Sequence, residues 1–343
     1  MTTGIIFAEG EQHTQKGHPE HAGRLAAVRA LLTERGMLAR LTPLEAQPAT
    51  DADLLRVHSA EQIELVRWIS ERGGGMIGGD TYTTSGTLDA ATLAAGTAIR
   101  AVEGVMSGEV DNAIALVRPP GHHAGASSIE GFCLFNNIAV AARFAQERFG
   151  VERVTIIDFD VHHGNGTQDI FYSDDSVQFF SIHMFGHYFY PGSGRAAEDG
   201  TAAGVGYTIN AALPPGTGDR GYREVFDGVV EPLIEQFEPQ LLLVSAGFDA
   251  HWRDPLAQME LSLTGYADIV QRTVSYAEKL CDGNIVFVLE GGYDLEVLGL
   301  GVVNLANALL GDSAVLDPIG TSPNRERDIS DVLIKLKQRH LLA

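Results

Sequence analysis

Short, continuous apolar runs constrain this chain more than anything else in it. Ala113–Val117, Val154–Ile157, Val177–Ile182, Leu241–Val244 and Ile285–Leu289 lack the alternation of a half-exposed strand. Strands of that kind are buried on both faces, as in a parallel sheet covered by helices. A further short run, Ile5–Phe7, reads as a first strand. Helix-like amphipathic segments lie between the runs, at about 23–34, 85–106, 136–149, 220–236, 264–280 and 296–310. The alternation predicts an α/β chain, a single domain over 1–343, with a mostly parallel central β-sheet flanked by helices on both faces. A last helix, from Ile329 to Leu341, puts Ile329, Val332, Leu333 and Leu336 on one stripe that would pack on the body.

Bulk composition narrows the class. A chain of 343 residues with 45% hydrophobic content can bury a sizeable core, and no shift in composition divides it in two. Met1 to Glu9 has no basic stretch followed by a long apolar one. Leu298 to Gly311 is too short to span a bilayer and carries Asn304 and Asn307. No membrane association and a cytoplasmic location are expected. Cys133 and Cys281 are too few for a disulfide framework. The formal charge of −21, with Lys16, Lys279, Lys335 and Lys337 as the only lysines, disfavours nucleic acid as a partner. Oligomeric state is left open, a homo-oligomer included.

Each chemically suggestive cluster follows one of the strand-like runs. Arg118-Pro-Pro-Gly-His-His123 follows Val117, and Asp158-Phe-Asp-Val-His-His-Gly-Asn165 follows Ile157. Ser245-Ala-Gly-Phe-Asp249 follows Val244, and Glu290-Gly-Gly-Tyr-Asp294 follows Leu289. In an open α/β sheet ligands sit beyond the carboxyl ends of the strands, so these four segments are expected to converge. Residues two apart in extended chain point the same way, so Asp160 and His162 can share a metal ion, with Asp158 behind them. Asp249 would supply a third ligand. Two carboxylates and one imidazole leave a position open, as catalytic sites do. Zinc is the default occupant of such a set, and Fe(II) or Co(II) would also fit.

Metal-assisted hydrolysis needs a base for the water and an acid for the leaving group. His122 and His123, after two prolines and a glycine, are the candidates. Asp158 would orient one imidazole and raise its pKa, whereas Asn165 would hydrogen-bond the other without adding charge. Tyr293, after Gly291-Gly292, reads as sitting on a mobile hinge, its hydroxyl aimed at a developing oxyanion. Glu290, nearer the strand, reads as structural.

Together these segments resemble the histone deacetylase superfamily, which includes acetylpolyamine amidohydrolases and shares the arginase-like α/β fold. The shared stretches are His18-Pro-Glu20 and Arg24, Arg118 to His123, Gly131-Phe-Cys133, Asn136-Asn137, Asp158 to Thr167, Ala246 to Asp249, Asp254-Pro-Leu256 and Glu290 to Tyr293. Asn165 looks like the class II branch. The resemblance implies zinc on Asp160, His162 and Asp249, with His123 as general base and then general acid. It implies His122, paired with Asp158, as an electrostatic partner, and Tyr293 polarising the scissile carbonyl. Phe132 and Tyr190, next to Gly131, would wall a narrow tunnel, Asp80 would contact the substrate backbone, and Arg24 would lie deep below the site. A monovalent-cation site, expected to hold structural K+, would use Asp158, the Ser181 side chain and main-chain oxygens of Asp160, His162 and Ile182. A second would lie near Phe171 and Val177. Arginase, of the same fold, needs two metal ions; Gly164 and His251 stand where its additional carboxylates would be.

The expected function is a metal-dependent amidohydrolase removing acetyl, or another acyl group, from Nε-acyl-lysine in a peptide or protein. An acetylpolyamine amidohydrolase is the alternative, since it would share every catalytic residue. Leu256 stands where a polyamine-selective branch places a glutamate, and an apolar side chain offers nothing to a distant ammonium. A longer-chain deacylase and a non-catalytic acyl-lysine binder are the remaining readings, and the intact constellation argues against the last.

Overall fold

Ten strands form along the chain in the computed structural model, which describes residues 1–342. They are β1 (Thr3–Ala8), β2 (Thr42–Pro43), β3 (Gly74–Ile77), β4 (Thr81–Thr84), β5 (Asn112–Val117), β6 (Val154–Asp158), β7 (Val177–Met184), β8 (Thr208–Leu213), β9 (Leu241–Ala246) and β10 (Ile285–Leu289). Eight of them build one sheet in the order β2-β1-β5-β10-β9-β6-β7-β8, with every neighbouring pair parallel. β3 and β4 form a separate antiparallel hairpin. The order sets β5, β10, β9 and β6 side by side, so the four motif-bearing segments leave one edge of the sheet within a few strand spacings.

Alternation along each strand sorts its side chains into two cores. Ile114, Ile157, Val244 and Phe287 pack with the helices Gly23–Glu34, Leu263–Leu280 and Leu295–Leu309 on one face. Ala115, Ile156, Leu243 and Val288 pack with Thr87–Met106 and Asn137–Phe149 on the other. Burial on both faces is what uninterrupted apolar runs require. Two helices are started by side chains placed just after motif segments. Asn136 Oδ1 accepts from the Ala139 N–H at 3.0 Å, and Asp294 Oδ1 accepts from Glu296 and Val297 N–H, both at 3.1 Å. These caps fix where the loops end.

Some elements depart from the expectation. β8, Thr-Ile-Asn-Ala-Ala-Leu, is an edge strand held by β7 alone, and its composition carries little strand signal. The β3–β4 hairpin and helix Ala60–Glu71, capped by Ser59, lie in a stretch without long apolar runs. The segment expected at 220–236 runs from Asp219 to Phe237 and is interrupted by π-helical turns at Phe226–Val230. The last helix, Ser330–Arg339, buries Leu336 and lays Val332 and Leu333 on the core. Both cysteines are free and buried. No helix among the described residues is long and apolar enough to cross a membrane.

His58 ties the loop after the paired histidines to the body. Its Nδ1 donates to the Gly125 carbonyl at 3.0 Å and its Nε2 accepts from the Asn136 N–H at 2.8 Å, which only a neutral imidazole can do. Burial lowers its pKa from 6.5 to about 4. As pH falls the unfolded chain takes the proton first, so this contribution is complete above pH 6.5 and is lost between there and about 4. Urea unfolding should therefore become easier across that window. His58→Gln, though less stable throughout, should flatten the dependence by up to about 1.4 kcal/mol per pH unit; an unchanged slope would rule the assignment out.

Candidate active site

β6 ends at Asp158, so Asp160 and His162 lie in the segment leaving the strand rather than on it. Main-chain donors hold them there. Asp158 Oδ1 accepts from the Asp160 N–H at 3.1 Å, Asp160 Oδ1 from the His162 N–H at 2.9 Å, and Asp160 Oδ2 from the Gly291 N–H at 2.8 Å. Asp249, just beyond β9, accepts from the Val161 N–H through Oδ1 at 2.9 Å. His162 Nδ1 then lies 3.1 Å from Asp160 Oδ1 and 3.3 Å from Asp249 Oδ2. One donor atom from each of the three side chains falls within 4.8 Å of the others.

The donor set fits a divalent cation. Asp249 Oδ2 is buried and faces no donor except His162 Nδ1, 3.3 Å away. Burial works against a charged imidazole at His162, yet hydrogen bonds to Asp160 and Asp249 raise its pKa to about 9, so the cluster draws positive charge. Gly291 makes the close approach possible, since a Cβ there would lie 2.1 Å from Asp249 Oδ2 and 2.5 Å from Asp160 Oδ2. Two carboxylates and one imidazole are ligands that zinc, Fe(II) and Co(II) all accept. The adjacent His163 turns away, to Ser193 and Gln168.

His122 and His123 stand 4.0 Å apart between ring centroids but meet different partners. His122 Nδ1 lies 2.9 Å from Asp158 Oδ2, and His123 Nδ1 lies 2.7 Å from Asn165 Oδ1. Burial lowers the pKa of both. At His122 the charges of Asp158, Asp160 and Glu290 outweigh it and bring the pKa to about 10. At His123 burial is reinforced by His122 and His162, and the pKa falls well below its ordinary value. Glu290 holds the turn that carries them: it accepts from the Gly121 and His122 N–H groups at 2.7 and 3.2 Å and from Ser245 Oγ at 3.1 Å.

Tyr293 is tethered, not hinged. Its N–H donates to Asp254 Oδ2 at 2.8 Å, and Arg24 Nε donates to the preceding Gly292 carbonyl at 2.9 Å. The Arg24 guanidinium lies beneath, 5.0 Å from the tyrosine ring centroid. The glycine at 291 serves close approach instead of movement. Burial pushes the Tyr293 phenol well above its ordinary pKa and keeps it an O–H donor.

A cavity of about 250 Å³ lies over these groups. His122, His123, Asp160, His162 and Tyr293 line it, together with Asp80, Gly131, Phe132, Tyr190 and Leu256. Gly131, at φ +58°, has no room for a Cβ, which would sit 2.2 Å from His123 Cδ2. Asp158 and Asn165 stand behind the two histidines. Ser181 faces Asp158 across β6 and β7 and bonds His183 Nδ1 at 2.9 Å, while the Ile182 side chain enters the core. Sequence reasoning missed Phe189, stacked on the His162 ring at 5.0 Å, although an aromatic beside Tyr190 was a signal. It also missed the tether from Asp254, and Glu130, which contacts Asn165 and Tyr190.

With the geometry in place, comparison with known proteins places the chain. A family model described as the histone deacetylase domain matches residues 18–309. A probable deacetylase of Archaeoglobus fulgidus is 44% identical, across 98% of this chain and 95% of its own length. A histone deacetylase-like amidohydrolase of Pseudomonas aeruginosa is 42% identical, across 88% of this chain and 80% of its own. The crystal structure of the HDA15 HD domain matches with a TM-score of 0.90 at 37% identity, covering 99% of this chain and 96% of that one. Fold, motifs and relatives agree that the chain belongs to the histone deacetylase family, a family of amide-hydrolysing enzymes.

Proposed function

We propose that the protein is a zinc-dependent deacylase of Nε-acyl-lysine, with acetyl-lysine as the simplest substrate. The observation that carries this reading is the grouping of two buried imidazoles, one paired with a carboxylate and one with an amide, and one phenol around a metal-ligand triad, at the base of an apolar-walled cavity. A divalent ion held by Asp160, His162 and Asp249 would polarise an amide carbonyl and make a water acidic enough to deprotonate near neutral pH.

The chain's own groups divide the remaining work. His123, kept neutral by burial and its charged neighbours, would take the proton of the attacking water and later deliver it to the departing amine. His122, protonated against Asp158, would place positive charge beside the developing negative charge. The Tyr293 hydroxyl would donate to the carbonyl oxygen as it becomes an oxyanion. Phe132, Phe189 and Tyr190 offer apolar walls to the methylene stem of a lysine. At the lining, Asp80 is the only carboxylate apart from the triad's Asp160, and Leu256 adds no charge. The apolar Leu256, which offers no charge to the distant ammonium of a polyamine, favours a lysine side chain.

The purified protein should carry about one metal ion per chain by elemental analysis, zinc on this reading. Asp249→Ala should lose both the ion and turnover; full activity without bound metal would overturn the reading. Tyr293→Phe should lower kcat by about 10²- to 10³-fold while leaving metal content unchanged. Initial rates on an acetyl-lysine peptide should exceed those on N-acetylputrescine and N-acetylspermidine, and the reverse order would assign the enzyme to acetylated polyamines.

A further inference from the structure

An asparagine side chain has the same shape when rotated by half a turn, but its two ends then exchange donor and acceptor roles. At Asn165 that exchange matters. With Oδ1 toward His123, 2.7 Å away, His123 carries its proton on Nδ1 and presents the Nε2 lone pair to the cavity. With Nδ2 in that place the proton would move to Nε2, and the imidazole could not accept one there.

The groups around Asn165 permit one orientation. Its Nδ2 lies 2.8 Å from Glu130 Oε1, and a carboxylate only accepts. The other carboxylate oxygen of Glu130 accepts from the Tyr190 hydroxyl at 3.3 Å. The Glu130 backbone is held as well, its carbonyl accepting from the Cys133 N–H at 3.0 Å in the turn where Gly131 presses on His123. Glu130 itself does not line the cavity.

We propose that Glu130 is a positioning residue for the acid–base step. By fixing the Asn165 amide it selects the Nδ1–H tautomer of His123. The inference rests on the reading of His123 as the base. An aspartate at 165 would present oxygen at both ends and would need no such partner.

The test uses the metal-loaded enzyme. Glu130→Leu should lower kcat by about tenfold or more with little change in KM, the scale of one charge-assisted hydrogen bond. In an Asn165→Asp background the same change should cost nothing, because orientation no longer matters and two facing carboxylates are separated. Equal losses in both backgrounds would overturn the proposal. Tyr190→Phe, which releases only the tunnel wall from Glu130, should move KM rather than kcat; a kcat loss matching that of Glu130→Leu would overturn the proposal too. Nitrogen-15 NMR of histidine-labelled protein, with the His123 signals identified by His123→Ala, gives a readout without turnover. Wild type should show the Nδ1–H form and Glu130→Leu a shift toward Nε2–H; the same tautomer in both would refute the assignment. Absence of wild-type turnover on every acyl amide would refute the proposed function and leave the tautomer comparison standing.

Discussion

Two carboxylates buried side by side are the constraint on which this site depends. Asp160 and Asp249 are both closed to water, and burial together with Asp160 raises the pKa of Asp249. Taking a carboxylate out of water costs several kcal/mol even after relaxation, and a second one nearby adds repulsion. Main-chain N–H groups of Val161, His162 and Gly291 return part of that loss. The rest has to come from positive charge, and His162 lies in contact with both. The same balance explains why four chain segments must meet closely here, and why a glycine stands where the β10 exit passes the carboxylates.

Beneath the cavity a second buried charge network sets the position of those exits. Arg118, the first residue past β5, binds both carboxylate oxygens of Glu20 at 2.6 and 2.8 Å and reaches the carbonyls of Glu9, Gly10 and His13. Burial works against the ionised Glu20, but Arg118 and Arg24 outweigh it and hold its pKa down. Arg24 continues the chain of contacts to the carbonyls of Glu290 and Gly292, directly before Tyr293. Removing one partner from a buried network of this kind costs about 3–5 kcal/mol, because the other charge is left unpaired. Residues outside the cavity lining thus hold the backbone that carries the phenol.

Much of this was legible in the chain. Strands buried on both faces announce themselves by residue type alone, and β5, β6, β9 and β10 lie where their apolar runs predict. So does the convergence of His122, His123, Asp160, His162, Asp249 and Tyr293, since a parallel sheet delivers its carboxyl ends to one edge. β8 was not legible, because an edge strand paired on one side needs no strong apolar run. Helix Ala60–Glu71 escaped for a related reason: it buries Ile63 and Val66 against a satellite core while most of its surface stays wet. Glu130 carries no motif of its own, and its contact with Asn165 joins positions 35 residues apart.

By itself the sequence determined the α/β class and the chemical types gathered at the strand ends, because periodicity and residue chemistry are local properties. The expectation of one metal ion instead of two also came from the sequence, through the resemblance: Gly164 and His251 stand where arginase would place further carboxylates. The resemblance named His122 as the partner of Asp158 and His123 as the base, but only the tertiary structure supplies the contacts and burial that set the two adjacent histidines apart. His122 and His123 are neighbours in sequence and alike in chemistry, so the difference comes entirely from what lies opposite each: the Asp158 carboxylate at one, the Asn165 amide at the other. Those distances, and the burial that magnifies their effect, exist only once segments far apart in the chain are packed together.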